Sequence, residues 1–180
     1  MRMLRTAWHR RIGEALEYLK KLNTPVAKTT LDLIQSNEVR LFDMNKISRN
    51  ALKLYLKTPA NQNMTRQEAI DALIGLNDDD IVYINTHANF AIKDIALTVV
   101  HECNHFLNKD QYRAKRNESC FQVEMRAMTA EFMAAGKKPI RSYLWKIAQL
   151  ASCGSEEPMP ENLDLTKPPK GIYVRKRMKK

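Results

Sequence analysis

Apolar residues recur at mostly helical spacing over Thr6 to Leu22, where Ala7, Ile12, Ala15, Leu16 and Leu19 line up, and Thr30 to Ile34 suggests a second short helix. Glu38 to Asp43 alternates as a strand does. Asn50 to Leu56 fits two templates: Leu52, Leu54 and Leu56 share one side of a strand, while Ala51, Leu52 and Tyr55 suit a helix. Thr65-Arg66-Gln67-Glu68 is a capping box that predicts a helix over Ala69 to Leu76, ended by Asp78-Asp79-Asp80. Ile81 to Asn85 is short, β-branched and bounded by turn formers, which predicts a strand. From Ala91 to about Asn108 the residues Ile92, Ile95, Ala96, Val99, Cys103 and Phe106 fall on one face and predict a helix. Another is expected from about Glu118 to Ala135, stopped by Gly136 with Pro139 soon after, and a last one over roughly Ile140 to Ala151.

These elements fill a chain of 180 residues, enough for one domain with a real core and short for two. Residues 1–155 are expected to form that domain, with a basic helical part over 1–60. Residues 156–180 form a Pro-rich, basic tail expected to be flexible. Hydrophobic residues at 44% and charged residues at 28% match a globular protein and exclude wholesale disorder. No apolar run is long enough to cross a bilayer, and Met1 to Lys21 lacks the apolar stretch of a secretory signal. Cys103, Cys120 and Cys153 are odd in number and widely spaced, unlike a disulfide framework or a CxxC knuckle. A reducing cytoplasm, or export by a route that needs no signal peptide, is the expected location.

The net charge of +10 is uneven: residues 1–60 hold 12 Lys/Arg against 5 Asp/Glu and residues 167–180 hold 7 against none, so residues 61–166 are net −4. Such termini could touch nucleic acid, anionic lipid or an acidic partner, but they better suit solvated ends that keep the chain soluble.

Chemistry concentrates in His101-Glu102-Cys103-Asn104-His105. Two histidines four apart on a helix project from one face, one turn above the other, so both imidazoles can reach one zinc ion. A glutamate directly after the first histidine lies beside the metal, where it can take a proton from water and pass it to a leaving amine. Helical geometry of about 100° per residue sets the apolar stripe opposite His101 and His105, which leaves both free to face a cleft. Cys103 lies about 200° around the helix from His101 and is expected in the core.

A hydrolytic zinc site needs a third protein ligand. Glu124 falls in the middle of the face made by Cys120, Phe121, Ala127, Met128 and Ala135, with Gln122, Arg126 and Thr129 opposite, and Glu131 shares the apolar face two turns on. Carboxylates on a buried face cost several kcal/mol unless a cation or strong donors receive them. They therefore ask for a metal; Glu118, toward the polar side, is the weaker candidate.

His101 to His105 followed after 18 residues by Glu124 resembles the HExxH-x18-E signature of gluzincin peptidases. The run Glu124-Met125-Arg126-Ala127 to Glu131-Phe132 is also similar to the third-ligand helix of ImmA/IrrE-type zinc peptidases, with Met133 standing before Ala134 where that family has Phe-Ala. The likeness covers about residues 80–135. It implies an α+β, zincin-like fold, mostly helical with a small sheet, and His101, His105 and Glu124 as zinc ligands with Glu102 as catalytic base. It also implies that a strand edge before the active-site helix binds peptide as an added strand, a part that Ile81 to Asn85 is placed to play. Glu131 is the candidate to orient His101 or His105 through the free ring N–H. His87, Tyr112 and Tyr143 are the candidate donors to a developing oxyanion.

The expectation is a zinc metallopeptidase acting on a peptide or protein substrate, with housekeeping or regulatory protease, toxin and secreted effector all left open. Its rival is a nucleic-acid-binding or interaction protein with an inactive motif, whose basic termini do the work. The two part on metal content.

Overall fold

The computed structural model of the chain describes residues 7–56, 62–87, 89–109 and 120–137. Its architecture is α+β, with six α-helices and a three-stranded sheet among the described residues. Helix α1 (Ala7–Leu22) and helix α2 (Pro25–Gln35) lead into β1 (Arg40–Asp43), a single 3-10 turn at Met44–Lys46, and the short helices α3 (Arg49–Leu56) and α4 (Arg66–Ala72). Strands β2 (Gly75–Asp78) and β3 (Ile81–Ile84) form a hairpin, followed by α5 (Ile92–Asn108) and α6 (Cys120–Ala134).

Local chemistry accounts for several of these boundaries. Thr24 caps α2 by accepting from the Ala27 N–H at 3.3 Å, and Pro25 occupies the first turn, where its missing N–H costs nothing. The Thr24 hydroxyl also donates to the Ala134 carbonyl at 2.9 Å, which ties the start of α2 to the end of α6. Thr65 and Glu68 form both halves of the capping box at the start of α4. Gly136, at φ 68°, supplies the left-handed residue that closes α6, and the Lys137 N–H returns to the Phe132 carbonyl at 2.8 Å.

The sheet runs in the order β1-β3-β2, with β1 parallel and β2 antiparallel to β3. Alternation along β3 divides the core in two. Val82 and Ile84 join Leu19, Leu33, Ile95, Val99 and Cys103 in a core contributed mainly by α1, α2 and α5, with Ala130 and Ala134 of α6. Tyr83, with Ile81 at its margin, packs against Met44, Ile47, Ala51, Leu52, Ala69 and Ile70 on the other face. Trp8 Nε1 donates to the Ile84 carbonyl at 3.1 Å and the Arg11 guanidinium donates to the Phe90 carbonyl, so α1 clamps both ends of the segment between β3 and α5.

Two expectations are corrected here. The helix expected over Ala69 to Leu76 ends at Ala72, and Leu73 is already extended, because Gly75–Asp78 pair with β3 across a tight Asp79-Asp80 turn in which Asp79 takes φ 57°. Ile81 to Ile84 is the central strand, hydrogen-bonded on both sides, and has no edge to offer to a substrate. The strand next to α5 with a free edge among the described residues is β2. The ladder bond from the Asn85 N–H to the Ile74 carbonyl, 2.8 Å, fixes the alternation, so that the N–H and C=O of Gly75 and Asn77 point away from β3 toward that edge.

The ambiguous Asn50–Leu56 segment is helical, started by Ser48, whose hydroxyl accepts from the Ala51 N–H at 3.0 Å. The helix expected over Ile140 to Ala151 and the tail lie outside the described residues. No helix of the described residues is long and apolar enough to cross a membrane.

Candidate metal centre

Helix α5 has three working faces. Ile95, Ala96, Val99 and Cys103 are buried in the main core, as the apolar stripe predicts. Thr98 and Glu102, one turn apart, lie against β2 at Gly75. His101 and His105, also one turn apart, meet α6, and their rings stand 4.7 Å apart between centroids at 75° to one another.

Opposite the two histidines α6 presents Glu124. His101 Nε2 lies 3.2 Å from one Glu124 oxygen and His105 Nε2 lies 3.7 Å from the other. One atom each from His101, His105 and Glu124 all fall within 4.8 Å of one another, the only such metal-competent trio among the described residues. Tetrahedral zinc with bonds of about 2.1 Å places its ligand atoms roughly 3.4 Å apart. Two imidazole nitrogens and one carboxylate are a donor set that could hold a metal ion, and the shorter His–Glu separation, 3.2 Å, is close to that spacing.

Glu131 occupies the other side of the same imidazole: His101 Nδ1 donates to its Oε1 at 2.6 Å. Two carboxylates of α6, two turns apart, thus hold both nitrogens of His101, with Nε2 directed at Glu124 and Nδ1 at Glu131. The side chains are enclosed, 14% exposed at His101, 12% at His105, 15% at Glu124 and 28% at Glu131.

Enclosure and like charge set the electrostatics. Burial alone would lower the His101 pKa, but the hydrogen bonds of Glu124 and Glu131, with the Glu124 and Glu102 charges, outweigh it and hold the imidazole well above the ordinary histidine range. Burial pushes the Glu102 carboxyl up; His101 and His105 pull it down, and Glu124 and Glu131 push it further up. Three carboxylates and two imidazoles in a shielded space leave an excess of negative charge, so a proton on His101 takes the part that a bound cation would fill.

Helix α6 departs from its expected polarity. Arg126 and Thr129, assigned by helical geometry to an outward polar side, are buried along with Val123, Met125, Ala127, Met128, Ala130 and Ala134. Thr129 satisfies its hydroxyl by donating to the Met125 carbonyl at 2.6 Å. A helix packed nearly all round cannot leave its partner histidines in an open cleft, and this is why His101 and His105 are more enclosed than the position of the apolar stripe suggested.

Cys103, fully buried, is core rather than ligand, and burial pushes its thiol well up. Asn104 is buried too and accepts from Asn108 Nδ2 through its backbone carbonyl at 2.8 Å and its side chain at 3.0 Å. Of the candidate oxyanion donors, His87 is exposed and its N–H donates to Asn85 Oδ1 at 3.0 Å, while Tyr112 and Tyr143, with Glu118, lie outside the described residues. Gly75 and Thr98 had no place in the sequence-derived site; an isolated glycine beside a strand signals close backbone approach, a signal hidden when the segment is taken as helix.

Comparison of the chain with protein-family models, with curated proteins and with solved structures finds no match.

Proposed function

We propose that the protein is a zinc metallopeptidase of zincin-like fold, with His101, His105 and Glu124 holding the metal and Glu102 acting as the proton-transfer residue. One observation carries this reading: two imidazole Nε2 atoms flank a single shielded carboxylate, at 3.2 and 3.7 Å, on a helix whose next residue after the first histidine is a buried glutamate. Bound there, zinc would supply Lewis acidity toward a carbonyl and lower the pKa of water.

The rest of the chemistry belongs to the chain. Glu102 takes a proton from the attacking water as the new C–O bond forms, and gives it to the departing nitrogen as the C–N bond breaks. A carboxyl whose pKa is raised by burial suits this work, since it must hold the proton between the two transfers. Glu131 fixes the His101 ring by accepting from Nδ1, and zinc bound at Nε2 would take the place of the proton there. The outer edge of β2, beside Glu102, offers the Gly75 and Asn77 backbone groups to an extended peptide.

The test is metal content together with cleavage of an unfolded protein such as reduced casein. The wild-type protein loaded with zinc should cleave it, and the Glu102→Gln variant should bind zinc without cleaving. A protein that binds nucleic acid with a steep salt dependence and takes up no zinc would support the rival reading instead.

A further inference from the structure

We propose that Gly75 is the positioning residue for Glu102, an assignment that rests on the peptidase reading: the bare Cα of Gly75 lets strand β2 lie directly against Glu102. A Cβ at Gly75 would stand 2.9 Å from Glu102 Cγ, 2.9 Å from Glu102 Oε1 and 2.5 Å from Thr98 Cγ2, where ordinary contact is 3.4–4 Å. The Glu102 side chain therefore lies along the strand rather than end-on to it.

Neither backbone has freedom to relieve such a clash. Strand β2 is held in register with β3 from Gly75–Ile84 to Asp78–Ile81, and the flanking Asn85 N–H bonds the Ile74 carbonyl at 2.8 Å. Helix α5 is fixed by Val99 and Cys103 in the core, the residues that directly follow Thr98 and Glu102. What gives way is a side chain, and the carboxylate of Glu102 is one of the two within reach. The outward N–H and C=O of Gly75 belong to the same residue, so the strand edge offered to a peptide and the group that handles the proton are held as one unit. Displacing a reacting group by about 1 Å costs on the order of 100-fold in rate.

Thr98 allows a structural effect to be separated from a positioning effect. The Thr98→Ser change removes the methyl that a Cβ at Gly75 would meet first and leaves the Glu102 conflict in place. The experiment compares wild type, T98S, G75A and G75A/T98S by thermal stability, zinc affinity against a chelator, turnover of the casein substrate, and the carboxyl ¹³C resonance of Glu102, assigned by its loss in E102Q.

The expected result is that G75A loses stability and G75A/T98S regains that of T98S. In the double variant zinc affinity stays unchanged, the Glu102 resonance stays displaced from its position in T98S, and turnover remains down on the order of 100-fold, mainly in kcat. An unmoved Glu102 resonance, or wild-type turnover in the double variant, overturns the proposal, as does failure of T98S to restore stability, which would place the conflict in the strand itself. A zinc-loaded wild type that cleaves nothing counts against the peptidase reading alone, because the resonance still decides whether Gly75 places Glu102.

Discussion

The two faces of the sheet are built from the same kinds of element and to different ends. Behind Tyr83, the helices α3 and α4 close over Met44, Ile47, Ala51, Leu52, Ala69 and Ile70, an apolar cluster whose existence folding alone explains. Behind Val82 and Ile84, helix α5 adds to its core residues groups that folding does not favour: His101 and His105, facing Glu124 and Glu131 of α6, and Glu102, lying against β2 at Gly75. Shielded carboxylates cost several kcal/mol each unless a cation receives them. Among the described residues the one His/Glu group that could hold a metal ion lies at this junction of two helices, and on the proposed reading it is the working part of the molecule, while the other face serves stability alone.

The comparison breaks most visibly at Glu124. If it is a metal ligand, Glu124→Ala leaves a folded protein that loses zinc to a chelator far more readily than the roughly 100-fold that a supporting residue typically accounts for. Equilibrium dialysis with zinc reads this directly. Glu102→Gln should leave zinc binding intact and abolish hydrolysis, since an amide of nearly the same volume cannot accept the proton; unchanged turnover would remove Glu102 from its assigned role.

Glu131→Ala is expected to fall between, weakening zinc affinity by about 10–100-fold while a zinc-supplemented sample remains active. The reverse ranking, with tight zinc in Glu124→Ala and none in Glu131→Ala, would move the ligand two turns along α6. On the quiet face, Ile70→Ala should cost about 2–5 kcal/mol of stability through the cavity it leaves. It should not change zinc affinity at all. A shift in metal binding there would mean that the two faces are coupled and that the division drawn between them is wrong.

How much of this was legible in the sequence depends on whether a feature is local. Helix α5 was expected from Ala91 to about Asn108 and spans Ile92–Asn108, because its apolar residues keep one face over several turns. The end of α6 was legible from Gly136, which takes the positive φ that terminates the helix. The pairing of His101 with His105 follows from their spacing, and the nearness of Glu124 from its place on α6. Strand β2 was missed, since Gly75-Leu76-Asn77-Asp78 has neither alternation nor β-branched residues and is a strand only because β3 stands beside it. The burial of Arg126 and Thr129 was equally hidden: helical periodicity orders residues around an axis but cannot say how many sides the rest of the chain will cover. Which imidazole Glu131 would reach, and that it would be at Nδ1 of His101, is set by how α6 crosses α5, a tertiary fact without a local signature.

The central proposal is that the junction of α5 and α6 holds a metal, and the most direct measurement of it is the zinc content of the purified chain. The protein should retain one zinc per chain after exhaustive dialysis against metal-free buffer, and the His101→Ala, His105→Ala and Glu124→Ala variants should each retain much less than one. A wild-type chain that stays metal-free after incubation with excess zinc and dialysis, or that keeps its zinc when all three residues are replaced together, would contradict the account.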